Sequence, residues 1–270
     1  RIGMVFRSAD GTQELKNNGC ADFIFNVGAF QVTMINPNSN GIILLNSGQQ
    51  TQVIAQNTNG AANYELKING SSFHSNSSTS FYQSPFITNV TDNIFCELIV
   101  SQGTNSISKS FNIFVNNTSV ESIPSNLVDG INYNTSDTSK ATLVLQAPLK
   151  DFVYVAGSFN NWNPSSLYAM KKDTNTGTFW IELSDLTPGQ IETYQYWVYD
   201  QSPVSGSPYE VKTADPYSTL VLSPFDDSYI PDASYPNMPA YPLEQDREVS
   251  VLQTGQNPYN WQVTDFQKPA

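Results

Sequence analysis

The sequence predicts an all-β protein built from tandem β-sandwiches, and three observations support this prediction. Charged residues make up only 13% of the 270 residues, while aromatic residues make up 12%. Asparagine, serine and threonine are plentiful, and short apolar runs recur along the chain. Turn pairs such as Asn59-Gly60 and Asn69-Gly70 separate these runs. Short strands joined by hydrogen-bonding turns are typical of this pattern, and long helices are not.

Residues 1–31 predict a β-hairpin. Two apolar runs, 2–6 and 23–27, flank the strong turn signal Asp10-Gly11. Two strands alone are marginally stable in water. We therefore expect this hairpin either to complete a module whose earlier strands lie upstream or to pack on the next module.

Residues 32–118 predict an immunoglobulin-like antiparallel sandwich. Strand-like runs recur there at regular spacing, and a Ser/Asn-rich stretch, 71–80, that holds the only histidine, His74, is interpreted as a loop. Cys96 falls on a central run and is expected to be a small buried apolar residue. Cys20 lies in a different predicted module, so we do not expect the two cysteines to cross-link. The predicted strands are 42–45, 52–56, 64–68, 86–90, 94–101 and 108–115.

Residues 119–236 predict a second sandwich, and residues 237–270 predict a linker that holds one strand, 249–253. A loop within the sandwich, 203–216, is too rich in proline to form a strand interior. Long loops of this kind are where binding residues tend to lie. The predicted strands of this sandwich are 141–146, 152–157, 168–172, 178–183, 193–199 and 219–222.

The charge balance argues against two classes of partner. A formal net charge of −12 would repel nucleic-acid phosphates and anionic membrane surfaces. No run of 18 apolar residues exists, so we expect no membrane insertion. A neutral, hydroxyl-rich polysaccharide remains compatible, because its recognition depends on stacking and neutral hydrogen bonds. The chain opens at Arg1 without a leader, and we expect it to be a piece of a larger protein.

One stretch carries a family resemblance. The segment Val153-Tyr-Val-Ala-Gly-Ser-Phe-Asn-Asn-Trp-Asn-Pro164 resembles the signature of carbohydrate-binding module family 48, an early-set-like β-sandwich found before the barrel of many enzymes of glycoside hydrolase family 13. The segments 168–172, 177–180, 194–198 and 214–218 occur after it in the order expected for that family. Residues 221–230 and 235–242 are similar to the linker that leads into the catalytic barrel of bacterial, Bacteroidetes-like α-amylase proteins. The opening segment 4–13 is more weakly similar to the last strands of a starch-binding module.

The resemblance implies carbohydrate-binding roles for a few residues. It implies that Trp162, after the turn pair Asn160-Asn161, stacks on a sugar ring, while a core position for the ring remains the alternative. Gln195 stands where sugar-binding members often carry a lysine, and no second tryptophan occurs in the next loop, where Tyr209 is the nearest aromatic residue. Trp197 shares the strand face of Gln195, although large aromatic side chains inside strands are usually buried.

No catalytic residues, metal ligands or cofactor are expected in these residues. Retaining glycosidases need two carboxylates about 5 Å apart. The acidic residues here are scattered in loops, and His74 has no second histidine or cysteine nearby. The resemblance implies a secreted or cell-surface bacterial protein that binds or presents an α-glucan, starch or glycogen, to a catalytic barrel of the same chain.

Three alternatives remain open. In the first, the sandwiches are structural spacers that dock on the barrel without binding sugar. In the second, the chain belongs to a surface adhesin built from immunoglobulin-like repeats. In the third, the chain is itself an enzyme, which would require a pair of carboxylates in a cleft.

Overall fold

The computed structural model confirms the prediction of an all-β protein. It describes residues 2–4, 6–7, 14–15, 23–25, 30–38, 41–58 and 60–256, in which the regular elements are β-strands and short 3₁₀ turns. None of the described residues belongs to a helix that is both long and apolar enough to span a membrane. The first four strands are β1 (Ile2–Met4), β2 (Phe6–Arg7), β3 (Glu14–Leu15) and β4 (Phe23–Phe25).

These four strands form two antiparallel pairs. Strand β1 runs antiparallel to β4, and β2 runs antiparallel to β3. The predicted turn Asp10-Gly11 and Cys20 lie outside the described residues. The chain forms two compact units, the first mainly from residues up to Phe114, with these four strands included, and the second mainly from Val115 onward.

The first unit contains a five-stranded antiparallel sheet in the order β10-β9-β13-β14-β6. A three-stranded sheet, β11-β8-β5, and a two-stranded sheet, β12-β7, accompany it. Their bounds are β5 (Val32–Asn36), β6 (Ile42–Asn46), β7 (Gln49–Thr51), β8 (Ile54–Asn57), β9 (Ala62–Ile68), β10 (Ser71–Thr79), β11 (Phe81–Gln83), β12 (Ile87–Val90), β13 (Ile94–Gln102) and β14 (Asn105–Asn116).

Alternating burial on these strands shows where the core of the first unit lies. On β13, Cys96, Leu98 and Val100 are fully buried and their neighbours are less so. The rings of Tyr64 on β9 and Tyr82 on β11 stack with centroids 5.0 Å apart, so the two larger sheets meet face to face. The prediction that Cys96 is a buried apolar residue is confirmed.

The interpretation of residues 71–80 as a loop is wrong. Strand β10 covers nearly all of them and pairs with β9 at the edge of the five-stranded sheet, with two register irregularities. Almost all of its side chains are exposed, so no apolar alternation marks it in the sequence. His74 lies on this strand, and its Nδ1 is 3.1 Å from the Tyr82 hydroxyl.

The second unit contains two facing sheets. One has the order β15-β16-β19-β18, and the other has the order β17-β20-β23-β22, with β21 also paired to β20. The bounds are β15 (Gly130–Tyr133), β16 (Ala141–Gln146), β17 (Phe152–Gly157), β18 (Lys171–Asp173), β19 (Thr178–Leu183), β20 (Glu192–Tyr199), β21 (Glu210–Thr213), β22 (Val221–Leu222) and β23 (Val249–Leu252). Short 3₁₀ turns cover Ser158–Asn160, Ser166–Tyr168 and Asp227–Tyr229.

One buried cluster joins the two sheets of this unit. Leu143 and Phe179 come from one sheet, and Val155, Tyr194 and Tyr196 come from the other. All five side chains are essentially inaccessible to solvent. A sandwich core of this kind gives each sheet one apolar face.

One part of the sequence interpretation is confirmed here and another needs correction. The strand predicted at 249–253, within the predicted linker 237–270, is present as β23, which pairs with β20 and β22 and has all four of its residues buried. The proline-rich loop 203–216 contains strand β21, which pairs with β20. Strand β23 pairs with a strand that is distant in sequence, whereas β21 pairs with the strand that precedes it in the chain.

Candidate functional site

Trp162 lies just after a tight turn at the end of β17. Asn161 and Trp162 both have left-handed backbones, with φ of 52° and 57°. Asparagine adopts this conformation readily, whereas a bulky residue does so rarely. The backbone N–H of Trp162 donates to the Gly157 carbonyl at 2.8 Å. This geometry determines the direction in which the indole leaves the turn.

The indole of Trp162 is only half-exposed. It packs on a small buried cluster of Leu222, Val249 and Val251, on which the partly buried Met238 and Tyr241 also pack. Part of the ring is therefore in contact with the segment that comes after the main sandwich strands. A flat ligand could reach only the part that these side chains leave open.

The two asparagines before Trp162 differ in role. The Asn160 side chain is buried, where its Oδ1 accepts from the N–H of Gly157 at 2.9 Å and its Nδ2 donates to the Val155 carbonyl at 3.0 Å. Asn161 is exposed. Asn160 thus shapes the turn from inside, and only Asn161 offers its amide to solvent beside Trp162.

Gln195 has no exposed surface. Its Nε2 donates to the backbone carbonyls of Arg247 and Glu248 at 3.1 and 3.0 Å, and its Oε1 accepts from the indole N–H of Trp197 at 3.2 Å. The amide is therefore used within the protein and cannot meet a ligand. Gln195 is therefore not part of a sugar-binding surface.

Trp197 and Tyr209 are both half-buried. The ammonium group of Lys212 lies 3.8 Å from the centroid of a Trp197 ring, so one face of the indole is occupied by a cation–π contact. The carbonyl of Tyr209 accepts from the N–H of Asp200 at 3.1 Å, which ties this loop to the end of β20. The structure joins Trp197 to Gln195 and places Trp162 in the separate apolar cluster.

A buried Tyr–Asp–Tyr arrangement is a feature that sequence reasoning missed. One carboxylate oxygen of Asp215 accepts from the hydroxyls of Tyr194 and Tyr196 at 2.7 and 3.0 Å. Burial, with the nearby Asp215 carboxylate, raises the pKa of both tyrosines well above the usual value. Asp215 belongs to the Ala-Asp-Pro-Tyr-Ser segment that carries part of the resemblance. Its role in this structure is internal support.

A groove on the second unit is a further candidate, named here the Phe159–Glu192 groove. It encloses about 540 Å³, within the range of ligand pockets. Three short stretches form it, the turn at 158–159, the turn at 167–168 and the residues from 181 to 192. Its lining residues are Ser158, Phe159, Leu167, Tyr168, Ile181, Glu182, Leu183, Ser184, Asp185, Leu186, Thr187, Gln190 and Glu192.

Each carboxylate of this groove forms a hydrogen bond or a salt bridge with another residue of the protein. Glu182 pairs with Lys140 at 3.3 Å, and Asp185 accepts from the Ser184 hydroxyl at 3.0 Å. Glu192 accepts from the hydroxyl of Ser158 and from the Gln190 amide. Within the described ranges, no three His, Cys, Asp or Glu side chains are grouped as metal ligands.

The chain has distant structural neighbours among known proteins. No protein-family model and no curated protein matches it. Pullulanases are among the structural neighbours. The Group B Streptococcus pullulanase SAP is 16% identical over 75% of this chain and 25% of that chain, with a TM-score of 0.28. The pullulanase of Klebsiella oxytoca is 14% identical over 68% of this chain and 20% of its own length, with a TM-score of 0.29.

A pair of immunoglobulin domains is similar to the same degree. Tandem immunoglobulin domains of titin are 10% identical over 68% of this chain and 92% of theirs, with a TM-score of 0.26. The chain spans a quarter or less of the two pullulanases. At these TM-scores, the architecture rests on the strand pairing and the shared cores described above.

Proposed function

We propose that this chain is a non-catalytic region of a secreted or cell-surface bacterial α-amylase-type glycoside hydrolase, and that its second unit is mainly a structural module there. The link to that enzyme class rests on the Gly-Ser-Phe-Asn-Asn-Trp stretch and on the ordered segments that come after it. The structural role rests on one observation. Gln195, at the position where a sugar contact is expected, is fully buried against the carbonyls of Arg247 and Glu248.

The contacts around this glutamine support the structural role. The segment that ends in β23 is attached at three levels: Met238 and Tyr241 pack on the same buried cluster as Trp162, the Gln195 amide donates to two backbone carbonyls, and β23 pairs with β20. A segment fixed at so many points has little freedom to move as a flexible tether. The module would therefore hold the downstream catalytic barrel of our proposal in a defined orientation.

Direct α-glucan binding at Trp162 is the second candidate. The observation in its favour is that Trp162 is partly exposed, next to the exposed Asn161 amide, on a turn whose left-handed backbone sets the ring direction. An aromatic ring beside an amide suits a glucose unit. The packing of the ring on the buried cluster of Leu222, Val249 and Val251 reduces the area available for such stacking.

A titration with maltoheptaose separates the two candidates. The chain and its Trp162→Ala variant would be followed by tryptophan fluorescence and by isothermal calorimetry. If the face around Trp162 is structural, the two proteins give the same response. Saturable quenching that is lost in Trp162→Ala would instead assign glucan binding to this ring and overturn the structural role of the face.

A further inference from the structure

The Phe159–Glu192 groove combines an apolar side with a polar side. The rings of Phe159 and Tyr168 lie 5.7 Å apart, tilted by 38°, and both pack on the sandwich core while remaining partly exposed. Leu167 beside them is 84% exposed. The two aromatic rings, which are supported by the core, and the exposed leucine form an apolar wall of the groove. Flat apolar surfaces of this kind suit the C–H faces of a pyranose ring.

The polar side centres on Glu192. This side chain is only 5% exposed, and among the described residues it forms no salt bridge. Its carboxylate accepts from the Ser158 hydroxyl and, at 2.6 Å, from the Gln190 amide. A carboxylate has about four acceptor positions, so it can also accept from ligand hydroxyls. Additional donors would compensate the burial of a charge that has no cation beside it.

The negative charge of the residues that line the groove limits the kinds of ligand that it can bind. Glu182, Asp185 and Glu192 all line the groove, and the nearby Lys140 is already paired with Glu182. An anionic ligand would be repelled. Among the residues that the structure describes, no three His, Cys, Asp or Glu side chains are grouped as metal ligands, which argues against a metal ion. A neutral ring with several hydroxyl groups fits both the apolar wall and the acceptors.

We infer that the Phe159–Glu192 groove binds a neutral sugar ring. Tyr168 and Phe159 form its apolar platform, and the Glu192 carboxylate, oriented by Ser158 and Gln190, accepts from its hydroxyls. The exposed Asp185 adds a second acceptor at the rim. This site goes beyond the structural role proposed above and does not depend on Trp162.

The test is an amide chemical-shift titration of the whole chain. The probes are maltotetraose, cellotetraose and xylotetraose, with calcium chloride and n-butylamine as cationic controls. We expect saturable shifts at residues 158–159, 167–168 and 184–192 with at least one of the three sugars. Gln190→Ala should weaken that binding by about 2- to 12-fold, the value of one hydrogen bond. Asp232→Ala, at an exposed position outside the groove, is the control and should leave the affinity unchanged.

Three results would overturn the inference. The first is the absence of saturable shifts in the groove with all three sugars. The sugar concentration would be raised to about ten times the weakest dissociation constant expected for such sites, which is in the millimolar range. The second is saturation by calcium or by the amine alone, which would make the groove a cation site. The third is sugar binding that is lost in Trp162→Ala and retained in Gln190→Ala, which would locate the sugar at the other face. Gln190 is exposed, so its replacement leaves the core intact, and Tyr168→Ala is a second variant that removes one ring of the platform.

Discussion

The hydroxyl of Tyr194 donates to a carboxylate oxygen of Asp215 at 2.7 Å, and both groups are buried in the second unit. Tyr196 donates to the same oxygen at 3.0 Å, and the N–H of Tyr217 donates to the other oxygen at 2.8 Å. One carboxylate therefore satisfies three donors at the end of the sandwich core. The loop that carries Asp215 is held to β20 by this arrangement.

Removal of this carboxylate should destabilise the second unit. Asp215→Ala leaves two buried hydroxyls without their acceptor, at about 1–3 kcal/mol for each unsatisfied group. Urea unfolding followed by far-UV circular dichroism would measure the loss. The control is Asp232→Ala, at an exposed position where the free energy of unfolding should change by less than about 0.5 kcal/mol. Equal stability of the two variants would refute the supporting role of Asp215.

Alkaline pH should destabilise the protein through its buried tyrosines. Burial raises the pKa of Tyr194, Tyr196 and Tyr199 well above the usual value of 10.0, with the Asp215 or Glu210 carboxylate adding to the effect. Above that value the unfolded chain loses these protons while the folded protein keeps them. The free energy of unfolding therefore falls as pH rises, by at most about 1.4 kcal/mol per pH unit for each tyrosine.

Denaturant unfolding at pH 8 and at pH 11, with tyrosinate absorbance recorded on the folded protein, would test this dependence. The stability should be lower at pH 11, and the absorbance should show these hydroxyls protonated until unfolding begins. Full ionisation of all tyrosines before any loss of structure would contradict the burial described here.

Loss of the Gln195 amide should loosen the segment before β23. In Gln195→Leu the carbonyls of Arg247 and Glu248 lose their donor, while the side-chain volume is nearly kept. Arg247 is exposed, so trypsin can reach its side chain but needs the local backbone to open. We expect cleavage after Arg247 to become several-fold faster than in the wild type. Gln190→Leu, a change at an exposed glutamine of the same unit, is the control and should be cleaved at the wild-type rate.

Cys96 should be unreactive in the folded protein. Burial raises the pKa of this thiol to about 12, and its side chain has no accessible surface. At neutral pH the thiolate is scarce and shielded, so alkylation requires unfolding of the first unit. In a Cys20→Ser variant, iodoacetamide labelling should be negligible under native conditions and complete in denaturant. Fast native labelling would show that β13 is not in the core.

The sequence predicted the strands whose burial pattern is regular. The runs 141–146, 152–157 and 178–183 coincide with β16, β17 and β19, because each of these strands carries a nearly continuous series of buried apolar residues. Strand β10 was missed for the opposite reason. Its serine and asparagine side chains are exposed at a sheet edge, where backbone pairing alone keeps the strand extended.

The site was less predictable than the fold. The alternation of side chains along a β-strand predicted that Gln195 lies on the strand face opposite Tyr194. It did not show which residues would cover that face. Its cover is a segment about 50 residues further along the chain. The Phe159–Glu192 groove likewise combines two turns with a strand connection, and no single stretch of sequence carries its pattern. Contacts between distant segments are set by tertiary packing, which periodicity does not encode.

The placement of β23 also has a consequence during protein synthesis. Strand β22 reaches the rest of its sheet only through β23, which lies between it and β20. While the ribosome is still adding residues before Val249, the edge of β20 at residues 192–194 lacks the neighbour that β23 later supplies. Until β23 has been synthesised, the nascent second unit therefore has an unpaired edge on β20. A chaperone or another chain can pair with such an edge. The last residues of the sheet to be translated are the ones that close it.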